Sequence, residues 1–100
     1  MTIKSKKSPE EKAFAKEVGE KLRRMRKHRG WSQTELANRV GVRFQQIQKY
    51  EYGKDSLSLW RSYNLARAFE IDHFVFIKIT CNNPFIQAPA NKWFEARKDV

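Results

Sequence analysis

The chain has little of what several classes of protein need. Cys81 is its only cysteine, so no disulfide can form within it. No apolar run reaches the length of a membrane span, and the basic N-terminus lacks the apolar core of a signal peptide. His28 and His73 stand apart from any metal-ligand spacing, and no spacing of Ser, His and acidic residues indicates a nucleophile with its base. We therefore expect a cytosolic protein that is not an enzyme and holds no metal or cofactor.

Basic residues, by contrast, are in excess. The 100 residues carry a formal net charge of +10, and 40% of them are hydrophobic, which suits one globular domain with a modest core. Residues 1–29 hold eleven Lys or Arg against four Glu, and so account for +7 of the total. An excess of this size favours a polyanionic partner, above all nucleic acid.

Capping residues and apolar spacing predict an all-α chain. Ser8 and Ser32 each precede a glutamate by three residues, the arrangement of a capping box at a helix start. Ser58 and Asp72 are suited to cap two more helices. The predicted helices cover roughly residues 9–29, 33–39, 43–52, 59–69 and 73–77.

The last two helices carry more specific expectations. In the fourth, helical spacing predicts that Leu59, Tyr63, Ala66 and Phe69 face inward. The fifth begins the segment HFVFIKIT, whose aromatic and β-branched residues also suit a strand, and we favour the helix. We divide the chain into a disordered basic arm (1–8), a helical domain (9–78) and a C-terminal extension (79–100).

Residues 33–52 have the pattern of a helix-turn-helix. Ala37 is small where two crossed helices must touch, and Gly41, four residues later, suits a turn that needs a positive φ. Ile47 and Tyr50, three residues apart, form the inward face of the second helix. In DNA-binding proteins of this kind, the second helix lies in the major groove. The pattern therefore indicates double-stranded DNA as the partner of the basic charge.

Helical geometry also separates the residues that face DNA from those that face the core. With Ile47 at the centre of the buried side, Gln45 and Lys49 point outward, and Gln46 and Gln48 lie on opposite flanks. Gln45 matches the donor and acceptor of adenine. We expect DNA contacts from Gln33, Arg43, Phe44, Gln45, Gln46, Gln48, Lys49 and Lys54.

Several of these positions keep an alternative. Arg43 and Lys49 suit either a guanine edge or a phosphate, and Phe44 suits either a thymine methyl group or the core. Gln46 suits a phosphate contact or a solvated position. Gln33 begins a helix whose free N–H groups and dipole attract a phosphate. Lys54 suits a phosphate clamp or a solvated surface.

Three segments resemble the phage repressor/Cro-like helix-turn-helix family, often called XRE-like. They are VGEKLRRMRKHRGWSQTELANRVGV, QQIQKYEYGK and LARAFEID, in this order between about residues 18 and 77. The resemblance implies a compact five-helix, lambda-repressor-like domain, a homodimer on a two-fold operator, and a salt bridge between Arg26 and Glu51. Ser62 and His73 depart from the pattern, since the family usually has apolar residues there.

The sequence indicates a transcriptional regulator that binds a palindromic operator as a homodimer. We expect this regulator to be a repressor. The region after Asp72 should build the dimer, because it offers more apolar surface than a short helix buries alone. Its candidate contacts are Phe74, Phe76, Ile77 and Ile79. The operator sequence, the genes controlled and any effector stay open.

Two other functions compete with this one. An antitoxin would use the same domain on DNA and neutralise a toxin through the tail that carries Phe85, Trp93 and Phe94. In a plainer account, those aromatic residues fold back on the core or complete the dimer. An RNA-binding protein is disfavoured because the sequence shows no aromatic stacking motif on a sheet.

Overall fold

The computed structural model describes residues 7–81, which form five α-helices and no strand. The all-α, five-helix prediction is confirmed, and the segment HFVFIKIT is a helix. Residues 1–6 of the arm and the tail with Phe85, Trp93 and Phe94 lie outside the described residues. The helices are α1 (Pro9–His28), α2 (Gln33–Val40), α3 (Phe44–Glu51), α4 (Leu59–Ala68) and α5 (His73–Thr80), so α5 runs past the boundary drawn at residue 78.

The predicted caps begin the helices. The Oγ atoms of Ser8 and Ser58 accept hydrogen bonds from backbone N–H groups three residues later, at 3.1 and 3.0 Å. The capping box at Ser32 has both of its hydrogen bonds. Glu35 N donates to Ser32 Oγ at 3.0 Å, and Ser32 N donates to the Glu35 carboxylate at 2.9 Å. The Asp72 carboxylate accepts the first N–H groups of α5. These bonds satisfy backbone donors that a helix leaves unpaired at its start.

The core lies where all five helices meet. α1 packs on α3 and α5, α2 packs on α3 and α4, and α4 packs on α5. Phe69 stacks on Trp31, with 5.2 Å between the ring centroids, and the ring of Phe76 lies beside Phe69 at 6.5 Å. The buried cluster is Leu22, Leu36, Ala37, Ile47, Tyr50, Leu65, Ala66, Phe69 and Phe76.

The face that α4 turns to the core agrees only in part with the one that apolar spacing predicts. Leu59 is 75% exposed and Tyr63 is 41% exposed, so the prediction that both are buried is wrong. Ala66 and Phe69 are each 1% exposed, so the prediction that they face inward is confirmed. Because Ser62 is polar, counting apolar residues leaves it out of the inward stripe. The stripe that packs inward is Ser62, Leu65, Ala66 and Phe69.

The two departures from the family pattern contact each other. Ser62 Oγ lies 2.8 Å from His73 Nε2 and donates to the carbonyl oxygen of Leu59 at 2.9 Å. A hydroxyl has one hydrogen to donate, so His73 must be the donor in the other bond. Two polar residues at apolar positions are therefore accommodated because they satisfy each other across α4 and α5.

α5 has two opposite faces. Phe76 is fully buried and Thr80 is 1% exposed, so both belong to the core. The expectation that Phe76 joins an intermolecular surface is corrected on this ground. Phe74 is 66% exposed and Ile79 43% exposed on the other side of the helix, where Val75 is also exposed.

A buried salt bridge joins α1 to the end of α3. Arg26 Nε and Nη2 donate to the two carboxylate oxygens of Glu51 at 2.7 and 3.0 Å. Arg26 Nη1 donates to the carbonyl oxygen of Trp31 at 2.8 Å, and Gln33 Nε2 donates to Glu51 at 3.1 Å. The bridge implied by the family resemblance is present, and it also reaches the start of α2.

Gly19 permits the close approach of α1 to α3, which the sequence did not reveal. A Cβ atom at this position would lie 2.6 Å from the carbonyl oxygen of Glu51 and closer still to that of Tyr50. Those oxygens are backbone atoms at the end of α3, so they cannot swing aside as a side chain would. The two helices are therefore closer here than any residue with a side chain allows.

Replacing Arg26 with alanine should lower the free energy of unfolding by about 3 kcal/mol or more, because the Glu51 carboxylate would stay buried without its partner. Arg24→Ala, at an exposed position of the same helix, should change it by less than about 0.5 kcal/mol. Urea denaturation followed by circular dichroism measures both. Equal stability of the two variants would show that the bridge is open in solution.

Gly19→Ala should destabilise the protein by about 1–3 kcal/mol, although alanine favours helix, because the added methyl group forces α1 and α3 apart. The neighbouring exposed Glu20→Ala serves as the control and should leave the melting temperature nearly unchanged. Thermal melts of the three proteins give the comparison. A Gly19→Ala protein that melts at or above the wild-type temperature would contradict the close approach.

Candidate nucleic-acid interface

Packing fixes the direction in which α3 faces solvent. Ile47 is fully buried and Tyr50 is 8% exposed, so these two residues hold the inner side of the helix against the core. Ala37 is 1% exposed in α2, and Gly41 ends that helix with φ +83°, so the turn into α3 has the geometry that the pattern requires. Gln45 and Lys49 are then exposed on the outer side.

A polar groove of about 620 Å³ runs along this outer side. Its lining carries three basic residues, Arg43, Lys49 and Arg61, together with the amides of Gln45 and Gln46, and it contains no carboxylate. Arg61 comes from the first turn of α4 and is half-buried. Cations and amides side by side offer a polyanion charge pairing and offer bases directional hydrogen bonds.

The first turn of α3 presents its side chains without intramolecular capping. Arg43 is the N-cap residue, and its side chain makes no capping hydrogen bond. Phe44 is 41% exposed, so it keeps part of its ring available while the rest packs on the domain. Both residues stand at the end of the helix that recognition helices usually direct at base edges.

Gln46 and Gln48, on the flanks of α3, are less exposed than Gln45. Gln46 Nε2 donates to the Asp55 carboxylate at 2.9 Å, and this bond fastens the loop after α3 to the helix. Gln46 and Gln48 are both half-buried. The structure thus separates Gln45, whose side chain is exposed, from its two neighbours at positions 46 and 48.

The buried salt bridge between Arg26 and Glu51, which joins α1 to α3, also contacts the start of α2. Gln33 is half-buried, and its amide nitrogen donates to Glu51. An amide nitrogen carries two hydrogens, so one remains for a partner outside the protein. The positive end of the α2 dipole lies at this same residue.

A second basic cluster lies just after α3. Lys54 is exposed, and its backbone carbonyl oxygen accepts a hydrogen bond at 3.1 Å from Lys7 Nζ, 47 residues earlier in the chain. The backbone of Lys16 in α1 lies so close to Gly53 that a Cβ there would be 2.6 Å from Lys16 Cα. The start of α1 therefore brings Lys7 beside Lys54.

Lys7 and Arg61 are the basic residues of this surface that sequence reasoning missed. Neither belongs to the helix-turn-helix segment, and each arrives through the packing of a separate helix. For Lys7 the only signal was the general excess of basic residues before residue 30, which does not say where they lie, and for Arg61 there was none.

Two properties of residues 7–81 bear on other kinds of site. None of their helices is long and apolar enough to cross a membrane. Within the same part of the chain, no three His, Cys, Asp or Glu side chains are grouped as a metal site.

Comparison with known protein sequences finds helix-turn-helix proteins. The helix-turn-helix family model HTH_3 matches residues 22–76. The chain is 46% identical over 59 residues to an uncharacterized transcriptional regulator in the ATPase CF(0) region of Rhodospirillum rubrum, covering 57% of this chain and 55% of that protein. It is 35% identical over 65 residues to the uncharacterized HTH-type transcriptional regulator y4wC of Sinorhizobium fredii, covering 65% and 46%. The chain thus spans about half the length of these relatives.

Solved structures share the same architecture. The restriction-modification controller protein C.AhdI from Aeromonas hydrophila is similar with a TM-score of 0.62 and 29% identity, over 65% of this chain and 94% of that one. The clp gene regulator ClgR from Corynebacterium glutamicum gives a TM-score of 0.64 at 18% identity, over 83% and 88% of the two chains, and this likeness shows the fold alone.

The family match covers more than half of the chain and includes α2, the turn and α3 entirely. The matched family consists of DNA-binding transcriptional regulators rather than enzymes. The outer side of α3, its basic groove and the buried bridge between Arg26 and Glu51 all lie within the matched residues. The chain belongs to the HTH_3 family of helix-turn-helix proteins.

Proposed function

We propose that this protein is a transcriptional repressor that binds a palindromic operator as a homodimer and places α3 in the major groove. The observation that carries the proposal is the groove along α3, where exposed Gln45 lies among Arg43, Lys49 and Arg61 with no carboxylate in the lining. A protein bound to double-stranded DNA acts in the cytoplasm, where bacterial DNA lies.

In this proposal Gln45 reads a base and its neighbours support it. An exposed glutamine near the start of the helix is suited to pair with both the N6 and N7 positions of adenine. Phe44, with 41% of its surface exposed, contacts a thymine methyl group nearby. Arg43, Lys49 and Arg61 contact guanine edges or phosphates along the same groove.

Phosphate contacts at the two ends of the motif set the position of α3. At one end, the free amide hydrogen of Gln33 and the α2 dipole meet a phosphate. At the other, the exposed Lys54 meets a phosphate, and the Lys7 ammonium lies at the Lys54 backbone carbonyl. Contacts of this kind fix register and orientation but carry no sequence information.

The outer face of α5 forms the dimer. Phe74, Val75 and Ile79 expose 66%, 43% and 43% of their surface on one side of a helix whose other side is in the core. Pairing these faces about a two-fold axis would set the two α3 helices about 34 Å apart, one turn of DNA. The relatives are named as transcriptional regulators and a restriction-modification controller, and these names do not favour the antitoxin alternative.

Gln45→Ala and Gln33→Ala should weaken DNA binding in different ways. Gln45→Ala removes a base contact, so it should cost about 1–3 kcal/mol of binding free energy on the preferred site and leave binding to scrambled DNA nearly unchanged. Gln33→Ala removes a phosphate contact, so it should weaken binding to specific and scrambled duplexes similarly. Titration of each variant against specific and scrambled duplexes measures the difference, and thermal melts check that Gln33→Ala, which also loses its bond to Glu51, stays folded. Equal losses on both duplexes for Gln45→Ala would show that α3 does not read bases through this residue.

Lys54→Ala should weaken binding to all duplexes and reduce the slope of log affinity against log salt by about one unit, since one phosphate contact is lost. Lys27→Ala, at an exposed position near the other end of α1, is the charge-matched control. Fluorescence anisotropy at several salt concentrations gives both slopes. If the two lysine variants show the same slope, Lys54 is a solvated surface residue.

Phe74→Asp should convert the dimer into a monomer that binds the operator weakly, because a carboxylate would be placed in an apolar contact. Ala13→Asp adds the same charge at an exposed position of α1 and should leave the dimer intact. Sedimentation equilibrium measures both. Deletion of residues 73–100 is not a suitable test, because it removes Phe76 from the core. A Phe74→Asp protein that still sediments as a dimer would exclude this face.

A further inference from the structure

A second groove, of opposite chemistry, is lined by residues that, apart from Tyr50, do not line the groove along α3. It encloses about 450 Å³ between the first half of α1, the start of α4 and the end of α5. Its walls are mainly apolar, and Phe14, Val18, Leu59 and Ile77 are among the residues that form them. Leu59 is the residue of α4 that apolar spacing expected in the core, and it lines this groove instead while remaining 75% exposed.

The charge around this groove disfavours nucleic acid, which is the partner that the basic residues elsewhere on the surface favour. The chain carries 21 Lys and Arg, yet none of them lines the groove. The charged residues in its lining are two acids, Glu11 and Asp55. A phosphate-bearing ligand would meet repulsion here, whereas an apolar side chain would cover surface that is otherwise open to water.

The chain leaves the described structure at this groove. Cys81 is the last described residue and lies in the groove lining. Asn82, Asn83 and Pro84 follow, and then the apolar pair Phe85 and Ile86. Four residues reach at most about 14 Å, and the α1 wall from Glu11 to Leu22 is roughly 16 Å long at 1.5 Å per residue. Phe85 is therefore the first large apolar side chain after α5 that can enter the groove.

We propose that the segment 82–100 of the same molecule occupies this groove and that Phe85 is the side chain that enters it. The groove takes in Ile77 of α5 and Cys81 just after it, whereas Phe74 and Ile79 are not among the residues that line it. The proposal does not depend on DNA binding or on the dimer. It assigns the tail a role in completing the domain, through an aromatic side chain that buries about 150–250 Å².

The reactivity of the Cys81 thiol reports whether the groove is covered. Cys81 is the only thiol of the chain, and it lies in the groove lining, so a docked segment should shield it from Ellman's reagent. In the full chain, Phe85→Ala should raise the rate of thiol modification by roughly tenfold or more, because a buried aromatic side chain is lost. Gln87→Ala, two residues further on, is the matched control and should leave the rate unchanged. Circular dichroism verifies the helical content of each variant.

A substitution on the wall of the groove tests the same contact from the other side. Phe14 is half-buried in α1 and lines the groove. Phe14→Ala should also raise the thiol rate, and the effects of Phe14→Ala and Phe85→Ala on stability should be non-additive, as expected for residues in contact. If one of the two variants loses its helical signal in circular dichroism, the rate of thiol modification in the other variant still tests the contact.

Three outcomes would overturn the proposal. Equal thiol rates in wild type and Phe85→Ala would show that the tail does not cover the groove. Protection that increases with protein concentration would show that a second copy fills it. Equal binding of the apolar dye ANS by wild type and Phe85→Ala would show that the groove is open to free apolar ligands. Protection that is independent of concentration and lost in Phe85→Ala is the result that we expect.

Discussion

The salt bridge between Arg26 and Glu51 is the interaction on which the position of α3 depends. Both partners are nearly excluded from water, and one arginine reaches the two oxygens of Glu51 and the backbone of Trp31. Since Gln33 also donates to Glu51, one carboxylate joins α1, the start of α2 and the end of α3. A buried ion pair adds little net stability compared with a well-packed apolar pair. The pair joins three helices at one carboxylate, and loss of Arg26 would leave that carboxylate buried without its partner.

Two further contacts hold the helices around this bridge. Gly19 lets the backbone of α1 reach the end of α3, and this brings Arg26 within reach of Glu51. On the other side of the core, the bond between Ser62 and His73 ties α4 to α5. The Ser62 hydroxyl donates to the carbonyl oxygen of Leu59 and accepts from His73, so neither polar side chain is left unpaired. Each contact joins residues that are distant in sequence and fixes one pair of helices.

The domain presents several surfaces of different chemistry. The groove along α3 is basic and rich in amides, and that between α1, α4 and α5 is apolar and lined by no cation. The outer face of α5 is a third surface, where Phe74, Val75 and Ile79 are exposed and the Lys78 ammonium lies 5.8 Å from the centroid of the Phe74 ring. General charge attracts DNA of any sequence, whereas discrimination needs directional groups in fixed positions. The two grooves have only Tyr50 in common, so the basic and the apolar linings are otherwise built from different residues.

The sequence by itself determined the five helices, their caps and the inward residues of α3, because each follows from local hydrogen bonding and from a period of 3.6 residues. It also indicated Gln45 as an outward residue, and the resemblance implied the bridge between Arg26 and Glu51. Only the tertiary structure decided which stripe of α4 is buried, since the role of Ser62 depends on His73 eleven residues away. The same holds for Gly19, Phe76, Lys7 and Arg61, whose surroundings are made by other helices. Local patterns cannot specify such contacts, because the partner atoms come together only when the helices pack.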